Sequence, residues 1–239
     1  AHPGRGPQLC LPRRGPLFSG LFFTLRPGQI IGVTGPVACG KSTLGRVFLN
    51  EYLYGGQLRF RDRELKDLSQ AEQAGLVCYL GHDPELFSAS IAENILLGSQ
   101  ADLETYLRLV CLDQEVAAMP DGTATRVGTG GVRLSGGQAQ RLALARTLCH
   151  KRPLLVLDDP FSALDRSTEA EIFRKLRQAA SDCAIVLISH RLYLFPQLDQ
   201  VIWMENGHTS VATHQELLNA EPAYADLFRS QSEEADHAE

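Results

Sequence analysis

A glycine-rich stretch containing a lysine and two hydroxyl side chains follows an apolar run near the start of the chain. It fits the pattern G-x-x-x-x-G-K-[ST] between a predicted strand, Gln29–Thr34, and a predicted helix, Ser42–Leu53. Glycines let backbone N–H groups approach phosphate oxygens, and the start of a helix adds positive potential. We therefore predict a nucleotide site in which Lys41 reaches the outer phosphates and the Ser42 hydroxyl ligates Mg²⁺; the alternative is a glycine-rich turn with a solvated lysine. The predicted nucleotide-binding residues are Gly35, Pro36, Val37, Ala38, Cys39, Gly40, Lys41, Ser42 and Thr43.

Two carboxylates follow a second apolar run. Asp158 and Asp159 come directly after Leu154–Leu157, at the end of a predicted buried strand. An acid at the C-terminal edge of a parallel sheet stands where ligands bind in open α/β folds. Asp158 is therefore predicted to bind the nucleotide by holding its Mg²⁺. Taken alone, a strand that ends in Asp is also typical of a strand entering a turn.

The pentapeptide Leu-Ser-Gly-Gly-Gln begins at Leu134. Within it, Ser135 and Gln138 form a Ser-x-x-Gln capping box, which predicts a helix over Gln138–Cys149. The two glycines leave backbone donors at the start of that helix open to an anion. An ordinary N-cap is the alternative if the pentapeptide stands alone. The nucleotide-binding residues predicted here are Ser135, Gly136, Gly137 and Gln138.

The elements that position these residues alternate between strand and helix. Further predicted strands are Gln57–Phe60, Gly75–Leu80, Ala184–Ser189 and Val201–Met204. The pattern from Ser88 to Arg146 is mostly helical, and a helix over Thr168–Ala180 is predicted to begin with a capping box of Thr168 and Glu171. The alternation predicts an α/β fold whose mostly parallel sheet is covered on both faces. The polar end, Gln231–Glu239, is predicted to be frayed.

Composition excludes several classes of protein. The formal net charge of −5 offers no electrostatic reason to expect nucleic acid as a partner. The longest apolar runs are those of buried strands and fall far short of the ~18 residues of a membrane-spanning helix, so another segment or chain must do any spanning. Six cysteines are scattered without a Cys-x-x-Cys pair, which favours a reducing, cytosolic compartment. No small-residue cleavage site follows Leu17–Leu25, which disfavours a secretory signal.

From about residue 21 to residue 231, the chain resembles the nucleotide-binding domain of ATP-binding cassette (ABC) transporters. Leu134–Gln138 matches the family signature and precedes the Walker B run, Leu154–Asp159, at the family's usual spacing. Ser162–Asp165 resembles the D-loop, and His190 resembles the switch histidine, which by resemblance contacts the γ-phosphate. In the family, two cassettes pair head to tail around ATP and Mg²⁺. The resemblance therefore assigns Ser135–Gln138 to a nucleotide held by the partner.

The resemblance also implies a division of the chain. It predicts an ABC domain over 1–230, with a P-loop NTPase core and an N-terminal antiparallel β subdomain over about 1–84 and 150–230. A helical subdomain is inserted over about 85–149, and 231–239 is the polar tail. Leu86–Ile95 resembles the segment by which exporter cassettes touch their transmembrane domains. Arg126–Gly131 resembles the exporter loop just before the signature, although Arg126 and Thr129 stand where most exporters carry acidic residues. The implied location is the cytoplasmic face of the inner or plasma membrane.

Three positions depart from the family pattern. The catalytic glutamate after the Walker B aspartate is Asp159 here, and the Q-loop glutamine, which helps to arrange Mg²⁺ and the water, is His82. The aromatic residue that stacks on adenine should fall near Leu9–Leu11, where there is none. By resemblance, the catalytic residues are Asp159, His190 and His82. The metal-binding residues are Ser42, Asp158 and His82.

An altered site beside an intact signature resembles one half of a heterodimeric exporter. In such a pair, the chain's own site hydrolyses ATP slowly and its signature completes the site of a non-identical partner. A homodimeric exporter with two active sites is one alternative, because an aspartate can act as a base. Another is a nucleotide-gated dimerisation module with little hydrolysis. Soluble cassette proteins of DNA repair or translation are disfavoured, because the chain has no coiled-coil insertion and no second cassette.

Overall fold

A six-stranded sheet forms the centre of the computed structural model, which describes residues 8–10, 16–83 and 85–236. The strands are β1 (Gln8–Cys10), β2 (Pro16–Phe18), β3 (Ile30–Thr34), β4 (Tyr54–Gly55), β5 (Arg59–Phe60), β6 (Arg63–Glu64), β7 (Val77–Leu80), β8 (Leu154–Asp158), β9 (Ala184–Ile188), β10 (Gln200–Glu205) and β11 (His208–Ala212). In the large sheet the order is β11-β10-β3-β9-β8-β7. All neighbouring pairs are parallel except β10 and β11. The C-terminal ends of the parallel strands therefore meet at one edge, where open α/β folds bind ligands.

Helices cover both faces of this sheet. They are α1 (Lys41–Val47), α2 (Gln70–Leu76), α3 (Ile91–Leu96), α4 (Leu103–Leu109), α5 (Asp113–Ala117), α6 (Gly136–Cys149), α7 (Arg166–Ala179), α8 (His214–Ala220) and α9 (Pro222–Asp236). Alternate residues of β8 enter two separate cores: Val156 packs with Leu44 of α1, whereas Leu155 packs with Leu142 of α6. Burial on both faces explains why the central strands are continuous apolar runs. Within the described residues, no helix is both long and apolar enough to cross a membrane.

The N-terminal strands form a smaller antiparallel structure, as predicted. The order in one sheet is β2-β1-β4, and β5 pairs with β6 in a hairpin. The predicted strand over Gln57–Phe60 is shorter, because the Leu58 N–H donates to the side-chain carboxylate of Glu64 at 2.9 Å instead of to a backbone carbonyl of a neighbouring strand. The α/β fold with its mostly parallel sheet is confirmed, together with the antiparallel strands and the helices inserted between β7 and β8.

Two predicted boundaries near the first helices are wrong. The helix predicted over Ser42–Leu53 ends at Val47, and Asn50 then turns the chain with φ 58°. Gly75 belongs to α2 and not to a strand. The Ser69 and Glu72 side chains form a capping box that starts α2, and the helix continues to Leu76 before β7 begins.

Two predictions in the last third of the chain are also wrong. The helix predicted to begin at Thr168 is α7, and its N-cap is Asp165, whose side chain accepts from the Thr168 N–H at 2.9 Å. Asp165 caps the Thr168 N–H, three residues before the Glu171 N–H that Thr168 was predicted to cap, so the helix gains most of a turn. The tail predicted to fray from Gln231 continues α9 to Asp236. Residues 237–239 lie outside the described part.

Candidate functional site

The glycine-rich loop runs from the end of β3 to the start of α1, so Gly35–Gly40 lies at the C-terminal edge of the sheet. A Cβ on Gly35 would lie 2.1 Å from the Met204 carbonyl oxygen of β10. Gly40 is the N-cap of α1 with φ 104°, a conformation that glycine adopts at little cost. Within the described residues, the backbone N–H groups of Gly40–Thr43 have no acceptor. These donors are free to bind an anion.

The Lys41 side chain folds back onto this loop and forms hydrogen bonds with its backbone. Its Nζ donates to the carbonyl oxygens of Gly35 and Pro36, both at 2.8 Å, and lies 3.9 Å from Cys39 Sγ. An ammonium group has three N–H donors, and the two carbonyl bonds hold it across the mouth of the loop. Its positive charge therefore lies on the glycine-rich loop itself, and its contact to the outer phosphates stays a prediction.

Asp158 ends β8 at the same edge of the sheet and is almost completely buried. Its Oδ2 accepts a hydrogen bond of 2.8 Å from the Tyr79 hydroxyl of β7. Burial and the Asp158 carboxylate both raise the pKa of Tyr79, which keeps the hydroxyl as a donor. Within the described part, the other carboxylate oxygen has no hydrogen-bond partner. That oxygen and the Ser42 hydroxyl are hard ligands of the kind Mg²⁺ prefers, so this pair fits the metal.

His82, Asp159 and His190 come together around one carboxylate oxygen. The Nδ1 atoms of His82 and His190 lie 3.3 Å and 3.1 Å from Asp159 Oδ2. The hydrogen bond to Asp159 raises the pKa of His190, although burial and the positive charges of Arg191 and Lys41 oppose this. The carboxylate is 9% exposed, whereas both imidazoles are more than half exposed. His82 thus contacts the predicted base, and its role as a magnesium ligand stays a prediction, since imidazole is a poorer ligand for Mg²⁺ than carboxylate oxygen.

The signature segment starts α6 as the sequence predicts. Ser135 is the N-cap, and its side chain accepts from the Gln138 N–H at 3.2 Å while Gln138 Oε1 accepts from the Ser135 N–H at 2.9 Å. The Gln138 amide also donates to Glu115 at 2.8 Å. Within the described residues, no hydrogen bond joins Ser135–Gln138 to Gly35–Thr43 of the same chain. Both segments stay predicted anion-binding sites, and the assignment of Ser135–Gln138 to a nucleotide held by a partner stays a prediction.

The D-loop is held by two side chains that the sequence analysis did not identify. Gln140 of α6 donates to the Asp159 carbonyl oxygen at 2.8 Å and accepts from the Ala163 N–H at 2.9 Å. On the other side, Arg191 donates to the carbonyl oxygens of Ser162 and Leu164, both at 2.8 Å. The D-loop thus lies between the signature helix and the residue that follows His190.

Sequence signals for these positions exist but are weak. Gln140 is a polar residue on the buried face of α6, and Tyr79 is the one hydroxyl-bearing residue of the short strand β7. Gln140 is buried and Tyr79 is half-buried, and a polar side chain withdrawn from water needs a hydrogen-bond partner, which marks both as candidates for contacts with other elements. The side chains near Leu9–Leu11, where no adenine-stacking aromatic residue was found, lie outside the described ones.

Comparison with known proteins identifies a family and several relatives. A model of the ABC transporter family matches residues 18–162. The chain is 34% identical over 226 residues to the multidrug resistance-like ATP-binding protein MdlA of Escherichia coli, covering 92% of this chain and 38% of that protein. It is 34% identical over 223 residues to the ATP-dependent lipid A-core flippase of Photobacterium profundum, covering 90% and 38%.

Solved structures give the same family. The structure of a bacterial Atm1-family ABC exporter with ATP bound superposes with a TM-score of 0.86 at 28% identity, covering 96% of this chain and 42% of that one. The chain thus spans less than half the length of these relatives. The family model matches more than half of the chain, and the matched residues include the phosphate loop and the signature described above. The chain therefore belongs to the ABC transporter family, as a nucleotide-binding domain of the exporter type.

Proposed function

We propose that this chain binds Mg-ATP, pairs head to tail with a second, non-identical cassette and drives the transmembrane domain of an exporter. In this proposal the cassette acts at the cytoplasmic face of the inner or plasma membrane. The relatives support this, because their names describe a multidrug resistance-like protein, a flippase and an exporter. The division into a core, a β subdomain and a helical subdomain over about 85–149 is part of the same proposal.

ATP hydrolysis at the chain's own site is slow in this proposal. The observation that carries it is the cluster of His82, Asp159 and His190, in which one oxygen of a short carboxylate faces two imidazoles. General-base catalysis contributes ~10²- to 10⁴-fold and depends on hydrogen-bond reach to the water. Aspartate is one methylene shorter than glutamate, and its engaged oxygen is not free to polarise a water. Lys41 still stabilises charge on the outer phosphates.

The signature of this chain serves the partner's nucleotide. Its support is the capped start of α6, where the N–H groups of Gly136 and Gly137 have no backbone acceptor within the described residues. A 14-residue helix presents positive potential at this end. When the partner's ATP is attacked by water in line, donors held in place at this position stabilise the developing charge.

A substitution in the signature tests the assembled pair. Ser135→Arg removes the N-cap and puts a bulky cation where the partner's phosphates bind. We expect the heterodimer's steady-state ATPase to be abolished while this chain still binds a fluorescent ATP analogue. Ser181→Arg, an equal change at an exposed serine near the opposite edge of the sheet, is the control. Near-normal ATPase in the Ser135→Arg heterodimer would contradict the asymmetric assignment.

A second experiment separates the alternatives. In the isolated chain, Asp159→Glu and His82→Gln restore the family pattern singly and together. We expect each single change to raise ATP turnover modestly and the double change to raise it by more than their sum, because both groups act on one water. A homodimeric exporter with two active sites predicts substantial turnover in the unaltered chain. A module that only dimerises predicts an inactive heterodimer as well.

A further inference from the structure

Gln231 of α9 bridges the two ends of the turn that carries His190. Its Oε1 accepts from the Leu192 N–H at 2.8 Å, and its Nε2 donates to the His190 carbonyl oxygen at 2.7 Å. These two bonds use the donor and the acceptor of one primary amide, and they span residues 190–192. The amide therefore takes the place of the backbone N–H and C=O groups that a neighbouring strand would have offered to this turn.

The turn at residues 190–192 begins just after the residue where the backbone hydrogen bonds between β9 and β3 end. The Ser189 N–H still bonds to the Val33 carbonyl oxygen at 3.1 Å, in the manner of β9 and β3. After it, the Arg191 N–H bonds to Ser189 Oγ at 3.0 Å, and the Leu192 N–H bonds to Gln231. In the described part of the chain, side chains therefore hold the Arg191 and Leu192 N–H groups of the turn. Of these two side chains, Gln231 is the one that comes from a distant element.

Helix α9, which carries Gln231, is held in place by contacts with other elements. His214 Nδ1 lies 2.7 Å from the hydroxyl of the fully buried Tyr224, and the His214 ring packs edge-on against Phe228 at 4.7 Å between centroids. Arg166 of α7 donates to the Gln231 carbonyl oxygen at 3.2 Å. The position of Gln231 is therefore fixed by packing and by a third hydrogen bond, which Arg166 donates to its backbone, so its amide can define the position of the turn.

We propose that Gln231 is a positioning residue for His190: its side-chain amide holds the turn so that the His190 imidazole stays on Asp159. It does so through the backbone on either side of Arg191. His190 belongs to the nucleotide site proposed above, and the inference rests on that assignment. Helix α9 thereby helps to set the position of the switch histidine, His190.

Gln231→Met tests this without adding charge, because methionine keeps the length of the side chain and loses both hydrogen bonds. Ser232→Ala is the matched control, since among the described residues the Ser232 hydroxyl bonds to the Phe228 carbonyl oxygen of its own helix, α9, and to no other element. NMR of the full chain without nucleotide reports the His190 imidazole, whose signal is assigned by its loss in His190→Gln. The charged groups facing it are Asp159, which raises its pKa, and Arg191 and Lys41, which lower it; the His82 ring shares the same carboxylate oxygen.

In Gln231→Met we expect the pKa of His190 to fall toward its ordinary value of about 6.5, because the imidazole leaves Asp159. Exchange of the Leu192 amide proton should become about 2- to 10-fold faster, the factor that one net hydrogen bond provides. Ser232→Ala should change neither. Gln231→Ala serves as a second variant if the methionine variant does not fold.

A fall in melting temperature with an unchanged His190 pKa and unchanged Leu192 exchange would overturn the proposal, because Gln231 would then only stabilise the fold. Neither measurement requires turnover. Fast hydrolysis at the chain's own site would therefore contradict the proposed asymmetric function and leave this inference standing.

Discussion

Replacing Arg191 with Met would leave a carboxylate buried without its cation. The Glu169 side chain is 1% exposed, and its Oε2 lies 3.1 Å from Arg191 Nη1. The same guanidinium also donates to the carbonyl oxygen of Phe161 and to those of Ser162 and Leu164 in the D-loop. Methionine fills a similar volume and can make none of these bonds.

The expected loss of stability follows from this burial. Removing one partner of a buried ion pair costs ~3–5 kcal/mol, because the remaining charge is left without compensation. The Arg191 side chain is 31% exposed, so water already screens part of the attraction and can reach part of the space left behind. We therefore expect a loss of about 3 kcal/mol in the free energy of unfolding near neutral pH, at the lower end of that range.

The loss should depend on pH. Burial already raises the pKa of Glu169 against the opposing effect of Arg191, and removing Arg191 raises it further. A group whose pKa is higher in the folded than in the unfolded chain stabilises the fold when protonated, and this contribution is lost as pH rises through the folded pKa. The destabilisation by Arg191→Met should therefore shrink as pH falls from about 7.5 toward about 5.

Urea unfolding measures this directly, and the chain's single tryptophan, Trp203, is a buried fluorescence probe. Glu169→Gln removes the charge and keeps the shape, so it is the background for a double-mutant cycle. In that background Arg191→Met should cost markedly less and lose its pH dependence. Our reasoning would be refuted by a loss below about 1 kcal/mol, or by an equal loss with and without Glu169.

Three further predictions concern the phosphate loop. Lys41→Ala should weaken or misorient ATP without unfolding the domain, and equal affinity for a fluorescent ATP analogue together with unchanged turnover in the assembled transporter would contradict this. Alkylation of Cys39 by a maleimide should block nucleotide binding, with saturating Mg-ATP protecting the thiol; mass spectrometry that finds Cys39 modified in a chain that still binds would rule this out. Gly35→Ala should lower ATP affinity by about tenfold or more, because its Cβ would lie 2.1 Å from the Met204 carbonyl oxygen. Calorimetric titration checks this, and an unchanged dissociation constant would show that the loop shifts at little cost.

Much of this protein could be predicted from the sequence because the relevant signals are local. The capping box of Ser135 and Gln138 forms as predicted, since both partners lie within one helical turn. The strands β3, β8 and β9 were found within a residue or two of their ends, because burial on both faces requires an uninterrupted apolar run. The same local logic failed where two caps competed, and Asp165 displaced Thr168.

Only the tertiary structure decided which distant residues meet. Tyr79 reaches Asp158 because β7 and β8 are parallel neighbours whose ends lie in register, with Leu80 opposite Leu157. Gln231 reaches the turn of His190 only because the last helix returns to the edge of the sheet. The polar composition of that segment predicts a loose tail, and nothing in its own spacing indicates a partner 41 residues away. Spacing along the chain determines caps, loops and buried strands, whereas hydrogen bonds between separate elements depend on strand order and packing, which no local pattern contains.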